Sequence, residues 1–144
     1  MKANVIWQGN VQFEAEVTSG HKIKMDGTEA IGGQNKGPRP TELLLSGVGG
    51  CSGIDMVTIL EKMRQNLTSL NVEVTGKRND DFPKRFTDIH VHFILEGDVD
   101  PEKAGKAAQL SMEKYCSVSL SLNSNITYSY EVNGERYGEY RKLK

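Results

Sequence analysis

The sequence predicts an α+β fold in the order βββ-α-ββ-α-β. Three observations carry this. Strand-like stretches cluster ahead of each helical stretch instead of alternating with them one by one. Apolar residues recur with period two in the first 25 residues and again after residue 71. Between these lies a run that is apolar almost all round, from Leu43 to Leu60. At 144 residues the length suits one domain spanning residues 1–144, long enough to bury a hydrophobic interior.

The opening strands follow from alternation. Val5 and Trp7, then Val11, Phe13, Ala15 and Val17, alternate with polar neighbours. Gly9-Asn10 and Ser19-Gly20 supply turns, and Ile23 with Met25 gives a third short strand, so a three-strand meander is expected. Gly27, Gly32, Gly33, Gly37, Pro38 and Pro40 mark a loop that also holds Lys36 and Arg39.

A helix is expected just after Pro40, with Thr41 as cap or first-turn residue and Glu42 at the positive end of its dipole. Its apolar girth predicts burial as a central helix. On a small sheet a second subunit would supply the cover, so a homodimer is expected. Gly47, Gly49 and Gly50 each cost about 1 kcal/mol relative to alanine inside a helix. Two explanations stand side by side: another element packs closely against the bare backbone, or the helix breaks and a second one opens at Cys51.

After a connection over Leu67–Asn71, Val72 and Val74 begin a strand, Asn79–Pro83 turn, and Phe86–Leu95 form the next strand. Asp100 fits an N-cap, Pro101 the first helical position and Glu102 the first turn of a helix running to Tyr115. Periodicity alone reads residues 116–122 as a strand. Residues 125–132 are rich in β-formers, Asn133-Gly134 is a turn, and the tail from Glu135 has no strong signal.

Composition narrows the function. With 18 basic and 19 acidic residues the net charge is −1, which argues against nucleic acid as a principal partner. No apolar run approaches about 18 residues, so no membrane-spanning helix is expected. The N-terminus lacks the apolar core of a signal peptide, which points to a cytoplasmic protein. His90 and His92 share a strand face and could form a metal pair, but no third ligand sits at motif spacing, so no metal and no cofactor are expected.

The two cysteines, Cys51 and Cys116, are the chemical focus. In a reducing compartment they are not a structural staple. Cys51 is either a buried inert thiol or a nucleophile whose activation needs a cation or a helix N-terminus. In an unbroken helix it would lie about 15 Å from the start, beyond useful reach of the dipole. Arg39 and Glu42 form a candidate accessory pair, with guanidinium stabilising thiolate and carboxylate orienting guanidinium; a local surface ion pair is the plainer alternative. Asp55, one turn beyond Cys51, would oppose a thiolate unless it orients a cation or caps another element. Cys116 could condense with an oxidised Cys51 only if the fold brings the two together.

The segment from Gly37 to Asp55, GPRPTELLLSGVGGCSGID, resembles the core of the OsmC/Ohr family, most of all its YhfA-like branch. Tyr115-Cys116-Ser117-Val118 is similar to that family's second-cysteine motif. The resemblance implies an intertwined homodimer with a buried central helix per subunit, and a short helix after Cys116 where periodicity reads a strand. It implies a thiol peroxidase for organic hydroperoxides, with Cys51 peroxidatic, Cys116 resolving, and a dithiol reductant such as a lipoylated protein. An apolar lining from Leu43, Leu44, Val48 and Ile54 would favour organic peroxides. The sequence departs from the peroxidase branches at two places: Thr41 stands where they have a catalytic glutamate, and residues 1–38 contain no arginine, leaving Arg39 as the candidate replacement. A non-catalytic module binding a hydrophobic ligand and a cysteine redox sensor are the alternative functions.

Overall fold

The computed structural model describes residues 1–141. The expected element order is present, with one further strand at the C-terminal end and two short helical segments around Cys116. Contacts within the chain define two compact units, Met1–Leu44 and a second from Leu45 onward.

The first unit is an antiparallel meander of β1 (Ala3–Trp7), β2 (Phe13–Val17) and β3 (Lys22–Met25). Its register places Val5 beside Ala15, Trp7 beside Phe13, and Ala15 beside Ile23. One face is therefore apolar, and the other carries Glu14, Glu16 and Lys22, whose ammonium lies 3.5 Å from Glu16. The apolar face is open, with Trp7 64% exposed.

The loop that follows is organised by Asp26, a buried carboxylate that sequence reasoning did not single out. It accepts backbone N–H bonds from Gly27 at 2.8 Å, Gln34 at 2.9 Å and Lys36 at 3.2 Å. The Gln34 bond is the largest influence holding its carboxyl below the usual range, opposed by burial and aided by the Lys36 and Gly27 bonds and the Arg39 charge. The loop closes so tightly that a Cβ on Gly33 would fall on the Gly27 carbonyl oxygen, so only glycine fits there.

Helix α1 (Pro40–Lys62) starts with Pro40 itself and runs unbroken into the second unit. Continuity through the glycines makes it long and apolar enough, by length and composition, to cross a membrane. No uninterrupted apolar run in it reaches about 18 residues; the polar residues between its apolar stretches are few enough that the average qualifies. Its fully buried residues, Val48, Ser52, Met56 and Leu60, fall every fourth position and form one stripe. The remaining apolar residues are not all inside: Ile54 is 66% and Val57 46% exposed. Within this single chain the central helix is buried on one side only.

In the second unit, β4 (Asn66–Arg78), β5 (Phe86–Asp98), β6 (Asn125–Val132) and β7 (Glu135–Arg141) form a sheet in that order. β5 and β6 are parallel; the outer pairings are antiparallel. The parallel pair needs a crossover, supplied by α2 (Pro101–Leu110), a π-helical turn (Ser111–Tyr115) and α3 (Ser117–Ser121). As expected, Asp100 caps α2, accepting the Glu102 N–H at 2.9 Å. The core is built from Ile89, Val91, Phe93 and Leu95 of β5, their β6 neighbours Ile126, Tyr128, Tyr130 and Val132, and the α1 stripe with Ala104, Ala107, Ala108 and Met112. Burying each of the larger side chains contributes about 1.5–3 kcal/mol.

Three readings are corrected here. Residues 67–71, read as a connection, are strand: β4 begins at Asn66 and pairs with β5 through them. Residues 117–121 are helical, as the family resemblance implied, and not the strand that alternation of Val118, Leu120 and Leu122 suggested. Serines decide it: Ser121 Oγ donates to the Ser117 carbonyl at 2.7 Å, and Ser119 Oγ to the Cys116 carbonyl at 3.3 Å. The segment after Asn133-Gly134, which carries no strand signal of its own, is β7. Both turn residues have positive φ, 50° and 85°, the backbone of a tight hairpin that returns the chain along β6.

Candidate functional site

The structure settles the choice between a broken and a continuous helix at the glycines. A Cβ on Gly49 would lie 3.1 Å from Val74 Cγ2, one on Gly53 3.5 Å from Val72, and one on Gly47 3.6 Å from Val118. The bare backbone therefore admits β4 and α3 against α1. Cys51 consequently sits at the start of the fourth turn of a continuous helix and receives no free N–H groups from a second helix start. Ser52 adds to the packing of this turn, its hydroxyl donating to the Val48 carbonyl at 2.7 Å.

Cys51 and Cys116 are brought together. Cys51 Sγ, Cys116 Sγ and a carboxylate oxygen of Asp55 all lie within 4.8 Å of one another. Both cysteines are free thiols; Cys51 is half-buried and Cys116 fully buried. Cys116 stands at the junction between the π turn and α3, its N–H donating to the Ser111 carbonyl at 2.8 Å. Burial pushes its thiol above the ordinary value; bonds to Ser119 oppose this, and the neighbouring Cys51 adds to it.

Ser111 is the residue that sequence reasoning missed. It is fully buried, and its hydroxyl donates to Asp55 Oδ2 at 2.9 Å. Its position at the start of a π turn, five residues before Cys116, has no sequence signature. Asp55 joins the thiol pair.

The accessory pair is placed in the first unit. Arg39 is the N-cap of α1, its carbonyl accepting from Glu42 N at 3.0 Å. Its guanidinium donates to the Gly37 carbonyl at 2.8 Å and to Asn35 Oδ1 at 3.1 Å. Glu42 accepts the Arg39 backbone N–H at 2.8 Å, the reciprocal half of a capping box. Glu42 thus has a helix-capping role that spacing alone did not reveal. Of the apolar lining residues proposed from sequence, Val48 has no accessible surface and belongs to the core, while Leu44 and Ile54 are exposed.

The histidine pair is not a preformed metal site. His90 lies 2.7 Å from Thr127 Oγ1 and 2.8 Å from Ser129 Oγ through its two ring nitrogens. His92 lies 2.7 Å from Ser129 Oγ and 3.0 Å from Glu131 Oε2. Every ring nitrogen already has a partner, in a polar ladder that stitches β5 to β6.

A family model described as OsmC-like protein matches residues 33–131. Protein YhfA of Escherichia coli K12 is 44% identical over 135 residues, covering 92% of this chain and 98% of YhfA. The crystal structure of a hypothetical protein from Aquifex aeolicus VF5 is 31% identical, covers 92% of this chain and 95% of that one, and superposes with a TM-score of 0.81. An organic hydroperoxide resistance protein OsmC from Legionella pneumophila shares the fold at 17% identity and a TM-score of 0.67, over 91% of this chain and 94% of that one.

Proposed function

The chain belongs to the OsmC-like protein family, and from that premise we propose that it is a cysteine peroxidase that reduces organic hydroperoxides. The observation that supports this reading is the approach of Cys51 and Cys116 to within 4.8 Å as free thiols, from segments 65 residues apart in the chain. The more accessible Cys51 is the peroxidatic residue. Its thiolate attacks the distal peroxide oxygen, the O–O bond breaks, and the alcohol leaves once protonated. The resulting sulfenic acid faces Cys116, whose sulfur displaces hydroxide as water and forms the disulfide. A bond of about 2.05 Å requires the sulfurs to close by under about 3 Å, within the reach of side-chain rotation and a small shift at the π turn.

One hydroperoxide and two thiols thus become one alcohol, one water and one disulfide, which an external dithiol returns to the free thiols. Arg39 is the candidate cation for thiolate and leaving alkoxide, and Glu42 fixes the helix start that carries it. The protein works as a cytoplasmic homodimer, a reading supported by the apolar surfaces left open on β1–β3 and on α1.

The test is stopped-flow mixing of reduced protein with cumene hydroperoxide, followed by mass analysis. Loss of two thiols and a Cys51–Cys116 disulfide is the expected product, and Cys51→Ser is expected to abolish peroxide consumption. Undiminished consumption by that variant would sink the assignment.

A further inference from the structure

The thiol pair has an acidic companion. Asp55 is one helical turn from Cys51 on α1, and its carboxylate lies within 4.8 Å of both sulfurs. A carboxylate beside two sulfurs is a set of metal-ligand atoms as well as a redox pair's surroundings. The acid is held in place. The buried Ser111 hydroxyl donates to Asp55 Oδ2 at 2.9 Å, and the Ser111 carbonyl takes the Cys116 N–H at 2.8 Å. One residue therefore ties down both the carboxylate and the backbone of the second cysteine.

We propose that Cys51, Cys116 and Asp55 form a binding site for a thiophilic divalent cation of the zinc type. Zinc takes sulfur at about 2.3 Å and carboxylate oxygen at about 2.0–2.2 Å in a tetrahedral arrangement, which sets its ligand atoms roughly 3.4–3.8 Å apart. The three atoms need to draw together by no more than about 1.4 Å to meet that geometry. Two sulfurs select a soft or borderline ion over magnesium or calcium. Three protein ligands leave a fourth position for water or an incoming ligand.

The charge of the three ligands suits a cation: two thiolates and one carboxylate face an ion of charge +2. Binding releases the two thiol protons to solvent and transfers no electrons. Ser111 plays the part of an outer partner that orients a ligating carboxylate. The site does not depend on peroxidase activity, but it shares its cysteines. Conversion to the disulfide removes both sulfur ligands, so oxidation releases the ion.

The test uses the full chain, reduced and stripped of metal. Zinc ion is titrated in competition with a chromophoric chelator, and cobalt(II) is added separately for its absorption spectrum. The expected result is one zinc per chain, a sulfur-to-cobalt charge-transfer band, and loss of both after diamide converts the pair to a disulfide. Asp55→Asn, which keeps both thiols, is expected to weaken zinc binding, and Ser111→Ala to weaken it roughly 10–100-fold. The double variant His90→Gln, His92→Gln should bind as the parent does. Circular dichroism establishes that each variant is folded, and the two independent substitutions guard against loss of either. The proposal is overturned if the reduced parent binds no zinc in the competition, if cobalt gives no sulfur band, or if Asp55→Asn binds zinc like the parent. Peroxide consumption is measured on metal-free protein, so a chain that turns over without binding zinc, or binds zinc without turning over, separates the two readings.

Discussion

At the scale of single residues, two titrating groups make opposite predictions. Asp26 has its carboxyl held below the usual range, first by the Gln34 N–H and then by further N–H groups and the Arg39 charge. Its stabilising contribution is therefore complete above the unfolded value, about 3.9, and is lost as pH falls through the lower folded value. Asp26→Asn should weaken the loop at neutral pH and flatten the acid limb of a stability–pH profile. Denaturant midpoints measured from pH 7 downward read this; parallel profiles for variant and parent would remove Asp26 from that role. Cys116 is displaced the other way, mainly by burial, from an ordinary value of 9.0. In the peroxidase reading its thiolate fraction limits disulfide formation. A sulfenic acid on Cys51 should be trapped efficiently by dimedone at neutral pH, and progressively less as pH rises to and beyond the ordinary value. A trapping yield independent of pH would count against Cys116 as the resolving residue. Neither effect was legible from residue type. Cys116 could be picked out as a thiol, but its burial, and the Ser111 contact that positions it, depend on a π turn that local sequence does not announce.

Among elements, α1 shows what periodicity can and cannot yield. The sequence marks it as apolar all round and interrupted by glycines, and both features are real. What spacing could not decide was whether those glycines break the helix, because the answer lies in Val74 and Val118, residues distant in sequence that occupy the space. Gly49→Val should force α1 away from β4 and cost about 1–3 kcal/mol, the usual penalty of overpacking. Gly47→Ala meets Val118 only at 3.6 Å, an ordinary contact. It should leave stability equal or raise it by up to about 1 kcal/mol through helix propensity. Thermal melts of the two variants give the comparison, and a neutral Gly49→Val would show that the close approach does not matter. The same distinction explains two of the misread segments. In residues 117–121 local serine–backbone bonds outweigh an alternating pattern, and β7 owes its conformation to pairing with β6 rather than to its own composition.

On the scale of the whole molecule, the apolar surface left open calls for a cover. The first unit presents Val5, Trp7, Phe13 and Ile23 on one face of its meander, all substantially exposed. In the second unit α1 leaves Ile54 and Val57 open although its opposite stripe is fully buried. Scattered exposed apolar residues are ordinary; two ordered faces, each opposite a satisfied polar or core face, are not. A second copy of the chain is the partner that the family resemblance implies, and burial of these faces would return about 25 cal/mol for every Å² removed from water. Sedimentation equilibrium should therefore give twice the chain mass at micromolar concentration. Ile54→Asp and Trp7→Ser should each shift the protein toward monomer, with the aspartate acting more strongly because it places an unpaired charge in the interface. If the dimer assembles the catalytic surroundings, as expected for a chain whose candidate arginine lies in a different compact unit from its cysteines, the monomeric variants should also lose peroxide consumption while both thiols remain titratable. Monomers that react at the parent's rate would show that one chain carries the whole site.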